Sequence, residues 1–449
     1  MKKFLWCFVL LCFGTGLFFC QENLQSSEVT EDTKEKDKET ILYGLDDDII
    51  ALLDEFTQNQ TYFYLDEIFA TFERTRSVAL RDKIISYFTA AEDNRLKDYA
   101  LEVLEDPFDT SDSTVSLLFK YVSQLKIEEA APLARDLLEN EYMEYFDAAL
   151  TALSELGTGD DALFLAEYID REDLTLVQRQ SVMKALGRLK AVETWDALVS
   201  IVQDEEENSF IRMYAAEAIG AMEKEETVDV LAPIFETKDS LLRASVVKAM
   251  GYYPQNETAK AIIIEGIRDS HYKVRLEGIA AAKEHSMTDA APYIFYRAKN
   301  DPETSVKYAA YDALVAFNYE EGVEYLQTQL KNTNFSDAAK VEIAKAFIKY
   351  NNGSGINVVI EVARETLKDD KKKNLRYALG KLFASYENAS FADICKEYLA
   401  SADVATVGTG LDMYAKNKFP SVTAEVEKIA ADEKSGVNKN KAQKILDRE

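Results

Sequence analysis

Only two histidines occur in the 449-residue chain, His271 and His285, fourteen positions apart and with no cysteine nearby. A zinc site needs three or four converging nitrogen, sulfur or carboxylate ligands, and this spacing supplies no such set. His271 precedes a helix start and is expected to cap or decorate a loop, as is His285 after Ala282-Lys283. A Ser-His-Asp arrangement finds no Gly-x-Ser-x-Gly turn to support it, although sequence alone leaves it open. Gly353-Ser354-Gly355 lacks a following Lys-Ser or Lys-Thr, so it is no phosphate loop and reads as a flexible connection between helices. The run Asp106-Pro107-Phe108-Asp109-Thr110-Ser111-Asp112 gathers carboxylates, but it misses the spacing, central Gly and closing Glu of a calcium loop. Cys7, Cys12 and Cys20 lie at the N-terminus, which leaves Cys395 alone in an apolar helical context, a buried and inert thiol. These residues predict no catalytic set, no metal and no cofactor; the expectation is a protein that is not an enzyme.

Charge narrows the partners. Eighty acidic against 52 basic residues give a formal net charge of −28. Such a surface repels phosphate backbones and anionic lipid, so nucleic acid is not expected as a partner. A protein or peptide with a basic surface fits better. Hydrophobic residues make up 47% of the chain, which rules out disorder throughout.

Residues 1–21 have the layout of an export signal: Lys2 and Lys3, an apolar run from Phe4 to Phe13, then Gly14-Thr15-Gly16. Leu17-Phe18-Phe19-Cys20 resembles the end of a bacterial lipoprotein signal, which implies lipidation at Cys20, although Phe19 stands where a small residue is usual. Cleavage after the small residues, or an uncleaved anchor, are the other routes. Residues 22–45 are polar and are expected to form a flexible acidic linker. The expected location is the periplasm or outer cell envelope, with membrane contact only through this N-terminus.

The rest, residues 46–449, is repetitive. Basic residues at Arg179, Arg212, Arg243, Arg275, Lys307 and Lys340 follow one another at 33, 31, 32, 32 and 33 positions. Three positions after each stand Val182, Ala215, Val246, Gly278, Ala310 and Ile343; six positions after stand Ala185, Ala218, Ala249, Ala281, Ala313 and Ala346. Three columns held at fixed offsets through six units mark a structural repeat. Each unit predicts two amphipathic helices, the second starting at a polar residue such as Asn208, Asp239 or Glu303 and stopping near Gly187, Gly220 or Gly251. No period-two run supports strands.

The pattern of Val-Arg, then Ala, then Ala-Leu-Gly resembles the short HEAT-like repeats named after phycobilisome lyases. The resemblance implies an all-α fold, a right-handed α-solenoid of about 11–13 helix-pair repeats of roughly 32 residues. It also implies that Arg179, Arg212, Arg243, Arg275 and Lys307 pair with acids of neighbouring units as an internal ladder.

Stepping about 100° per residue from the basic residue of each second helix places offsets one, two and five on the side opposite the aliphatic columns. Met213, Tyr214, Leu276, Tyr308, Val341 and Tyr377 fall there, with charges at Lys184, Glu217, Lys248, Asp312, Lys345 and Lys381. This side is expected to face the concave surface and to hold a protein or peptide, which makes the chain an extracytoplasmic binding scaffold. A structural envelope lipoprotein acting as a spacer, and a lyase-like enzyme, are the alternatives. Expressed in a Gram-negative host, the full chain should leave the cytoplasm, and Cys20→Ala should abolish fatty-acyl labelling. Intact chain in the cytosolic fraction refutes export; labelling that survives the substitution refutes the assignment of Cys20.

Overall fold

Ala, Leu, Glu and Lys dominate the stretches between polar caps, and these residues lose little side-chain freedom in a helix. The computed structural model describes residues 31–58, 61–169 and 171–446. Among them are twenty-six α-helices, a few single turns of 3-10 helix and no strand. The α-helices fall into thirteen antiparallel pairs, from Glu31–Tyr43 with Asp46–Gln58 to Thr423–Ala431 with Val437–Leu446. One hydrophobic core runs without a break from Ile41 to Ala442. The architecture is the all-α solenoid that the 32-residue spacing predicts.

The second helices of the pairs form one layer and the first helices the other. Successive second helices, such as Leu176–Arg188, Ser209–Ala221, Ser240–Met250 and Tyr272–Glu284, stack more closely than the first helices do. The tighter layer lies on the inside of the curve, so the second helices line the concave face. The superhelix brings its own ends together. Lys444 Nζ lies 3.7 Å from Glu55 Oε1, and a cleft of about 750 Å³ between the first and last pairs is lined by Lys36, Thr40, Asp48, Leu52, Asn440 and Gln443.

Both small-residue columns are buried: Val182, Ala215, Val246, Gly278, Ala310 and Ile343 face the core, as do the six alanines from Ala185 to Ala346. The polar starts also hold. Asn208 accepts from Phe210 N at 2.9 Å, and Asp239 accepts from Leu241 N at 2.8 Å. Glu303 occupies its N-cap position without a side-chain bond; Asp301 accepts from Glu303 N at 3.0 Å instead.

Three sequence expectations are corrected. The linker expected at 22–45 is helical over Glu31–Tyr43, and Ile41 is buried in the core. A lone leucine, isoleucine and tyrosine at the end of a charged stretch give no amphipathic period, so only the neighbouring pair reveals this helix. Residues 1–30, including the signal and Cys20, lie outside the described residues. Gly353-Ser354-Gly355 is not a connection but the start of helix Gly353–Leu367, capped by Asn352, which accepts from Gly355 N at 2.9 Å.

The third correction concerns the glycines at the ends of second helices. The second helices do stop near these glycines and Gly251 is a C-cap, but Gly187 and Gly220 are the penultimate residues of their helices, and the left-handed turn falls three residues later at Lys190 (φ 51°) and Glu223 (φ 54°). These glycines serve contact rather than chain reversal. A Cβ at Gly220 would sit 2.6 Å from Ala249 Cβ and 2.8 Å from Ala249 Cα on the next second helix. Nothing lies within 4 Å of a Cβ placed at Gly353. Gly220→Ala should therefore destabilise by about 1–3 kcal/mol despite its better helix propensity. Gly353→Ala should be neutral or slightly stabilising. Thermal unfolding of the two variants checks the contrast, and equal effects would remove the packing role of Gly220.

Candidate inner-face binding site

The inner face is built from second-helix residues that the core does not consume. Its edge is set by the basic residue near each helix start, whose alkyl stem packs inward while its head reaches toward the next unit. Arg179 meets Glu207 at 3.1 Å. Arg243 grips Asp269 with two nitrogens at 2.8 and 3.0 Å and also donates to Thr237 O at 2.8 Å. Arg275 meets Asp301 at 2.7 Å and donates to Asp269 O and Ser270 O at 3.0 and 2.9 Å. The expected ladder exists at these three. Arg212 instead donates to Val202 O at 3.0 Å, and Lys307 makes no ion pair among the described residues. Burial raises the Asp269 carboxyl, but the Arg243 hydrogen bond and the His271 N–H outweigh it and hold its pKa below the carboxylate norm.

The acid partners escaped the sequence reading. A signal was present: Asp269 and Asp301 each stand six positions, and Glu207 five, before the basic residue of their own unit.

The predicted contact residues sit on this layer, all half-buried. Tyr214, Leu276, Tyr308 and Val341 pack against the core with one side and stay partly exposed on the other. Met213 stands beside Tyr214 on the same helix. Lys184 Nζ lies 4.5 Å from the centre of the Tyr214 ring, a cation–π contact across one repeat junction. Tyr377 donates to Asp403 Oδ2 at 2.8 Å, so its hydroxyl joins the next helix start. These residues therefore form no row of freely presented rings. The exposed heads along the ridge are Lys184, Lys248, Lys345 and Lys381.

The charges between them are linked from repeat to repeat. Glu217 accepts from Lys248 at 2.6 Å and from Ser245 Oγ at 2.9 Å. Glu277, one unit on, makes no ion pair among the described residues but feels the same charges. Burial pushes the Glu277 carboxyl up, Lys248 opposes this, and the Glu217 charge adds to the rise. Further along, Asp312 receives Lys283 at 2.7 Å, Lys349 at 3.1 Å and the Tyr350 hydroxyl at 2.9 Å. Burial alone would raise the Asp312 pKa; these donors hold it below the norm.

The other chemistry-bearing residues are accounted for. His271 caps helix Tyr272–Glu284, accepting from Lys273 N at 3.4 Å, and His285 closes the same helix. Cys395 is buried, donates to Gly410 O at 3.3 Å, and its thiol pKa is pushed up to about 12 by burial. Among the described residues, no group of His, Cys, Asp or Glu gathers as a metal site, and no helix is long and apolar enough to cross a membrane.

The sequence profile described as "Spirochaete HEAT repeat protein" matches residues 41–445. The chain belongs to the spirochaete HEAT repeat protein family. Its curated relatives include deoxyhypusine hydroxylase of Candida albicans, 26% identical over 152 residues, which is 34% of this chain and 46% of that one. Deoxyhypusine hydroxylase-B of Oryza sativa subsp. japonica is 24% identical over 193 residues, 41% of this chain and 63% of that one. The chain thus spans about half to three fifths of these relatives. Among solved structures, the CpcE–CpcF complex of phycocyanin lyase from Nostoc sp. PCC7120 matches at 17% identity and TM-score 0.31, covering 56% of this chain and 93% of that one. The Kap95:Nup1 complex matches at 12% identity and TM-score 0.43, covering 89% and 58%.

The ladder's most buried link is Arg275–Asp301, whose side chains are 4% and 0% exposed. Removing one member leaves the other charge buried, with Arg297 3.7 Å away as the remaining counter-charge for Asp301. Arg275→Met should cost about 3–5 kcal/mol. Arg179→Met, at the more exposed Glu207 link, should cost about 1 kcal/mol or less. Denaturant unfolding measures both, and similar small losses would demote the buried pair.

Proposed function

We propose that this protein is an extracytoplasmic scaffold that holds a protein or peptide partner on the concave face of its solenoid, and that it acts by binding rather than by catalysis. The observation that carries the reading is the run Glu217, Lys248 and Glu277 along the inner ridge. Lys248 is paired with Glu217, while Glu277 makes no ion pair among the described residues, and burial together with the Glu217 charge makes ionised Glu277 unfavourable. An arriving Lys or Arg side chain would offset that excess negative charge. Half-buried Tyr214, Leu276 and Tyr308 flank the run and offer apolar contact on a face whose core side is already packed. Recognition spread over several repeats suits an extended or basic polypeptide, which also accords with the net charge of −28. The N-terminal sequence supports placement in the cell envelope, with Cys20 as the lipid-bearing residue.

Replacing Tyr214, Tyr308 and Tyr377 together by Ala should leave helical circular dichroism nearly unchanged while weakening capture of a partner from envelope extracts. Glu277→Gln should weaken the same capture and flatten its salt dependence. A triple variant that binds as well as the parent removes the inner-face assignment and favours the spacer role. A triple variant that unfolds shows that the tyrosines belong to the core.

A further inference from the structure

Val177, Phe210 and Leu241 recur in one register that neither the core nor the inner ridge uses. Each is the second residue after a helix cap, following Thr175, Asn208 and Asp239. Val177 is 62% exposed and Phe210 45%, and Leu241 is half-buried. None of the three belongs to the hydrophobic core or to the apolar residues packed against it. The repeat does not require apolar residues here, since the following units place Lys273, Ser305 and Ala338 at the same position. The first helices of neighbouring pairs carry acids in their opening turn instead, as at Asp196, Asp229 and Glu257.

The three helix starts lie side by side along one edge of the solenoid. Arg179 reaches Glu207, the residue before the Asn208 cap, at 3.1 Å. The Ser209 hydroxyl donates to Asp239, the next cap. Packed helix axes stand about 8–10 Å apart, so the three side chains form a short apolar row at that spacing. The loops around the row carry exposed Glu172, Glu205, Glu206 and Glu236, none of which makes an ion pair among the described residues. Cations are fewer: Arg171 is held by Asp173 and Glu141, Arg212 turns to Val202 O, and Lys238 is exposed.

An apolar row in an acidic setting calls for a cover that is both apolar and basic. A second copy of this chain, with its net charge of −28, meets those carboxylates with like charge, and so does an anionic bilayer. The spacing selects the shape of the cover. In an α-helix, residues seven apart share a face and are separated by about 10.5 Å, at about 1.5 Å per residue. In an extended strand the residue about 10 Å along is three positions on and points to the opposite face. We propose that this edge docks an amphipathic helix of a partner protein, with an apolar residue at every seventh position and Lys or Arg beside the apolar stripe. It shares no residue with the Glu217–Lys248–Glu277 run of the inner ridge.

Fluorescence anisotropy of the full chain with a labelled helical peptide tests this. The probe carries Leu at positions i, i+7 and i+14 with flanking Lys, and a scrambled peptide of the same composition is the control. The probe should bind about tenfold or more tightly than the scramble, and added salt should weaken it. Replacing Val177, Phe210 and Leu241 together by Ser should weaken probe binding by about tenfold or more, with Tm kept within about 2 °C of the parent. Glu205→Lys combined with Glu206→Lys should also weaken binding and reduce its salt dependence. The proposal is overturned if the probe does not bind or binds no better than the scramble, if affinity survives the triple Ser variant, or if Tm falls further than that. Self-association of the parent that the triple Ser variant abolishes would make the edge a contact between copies and overturn it likewise. Glu277→Gln, on the inner ridge, should leave probe binding unchanged; a loss there would move the probe to the concave face. The edge and the inner-face reading therefore fail separately.

Discussion

Close stacking of the second helices is the constraint from which the remaining architecture follows. Helix axes can approach only as far as the residues between them allow, and here those residues are alanine, valine and glycine. Gly187 lies close against Ala218, and Gly220 lies against Ala249 without room for a further methyl group. The first helices carry bulkier contacts, such as Trp195 with its Nε1 bonded to Thr227 Oγ1 at 2.9 Å. A tight layer backed by a looser one must curve. That curvature creates a concave face and, carried through thirteen pairs, brings Lys444 to Glu55.

Electrostatics works within this frame rather than creating it. A chain with 28 excess negative charges gains from placing its cations where they bridge repeats, and the Arg243–Asp269 and Arg275–Asp301 links do so at partly or fully buried positions. Each link joins the basic residue of one inner helix to the start of the next, so it fixes the relative rotation of neighbouring units as well as their distance. The buried pairs contribute less net stability than their geometry suggests, because two charges must first be desolvated. Their worth lies in register.

The inner ridge inherits both features. Its apolar members are half-buried because the same helix faces that present them also pack on the next unit. Its charged members are drawn into cross-repeat links, as Lys184 is over Tyr214 and Asp312 is between Lys283 and Lys349. Any contact made on such a surface would be spread over several repeats.

Much of the fold was legible in the sequence because the solenoid is local: each unit packs on its neighbours, so the columns at Arg275, Gly278 and Ala281 recur at a fixed spacing. Polar caps such as Asn208 and Asp239 could be read for the same reason, their bonds reaching only two or three residues along the chain. The helix Glu31–Tyr43 could not, because its few apolar residues show no period and its burial is conferred by the following pair. Gly220 looked like a helix stop until the next helix was seen against it. That Arg212 bonds Val202 O rather than an acid, how far Tyr214 and Tyr377 stand clear of their neighbours, and that the two ends meet were decided only by tertiary structure. Pairings between units depend on rotations of a few degrees at every junction, and those small angles, summed over the whole superhelix, leave no local trace in residue order.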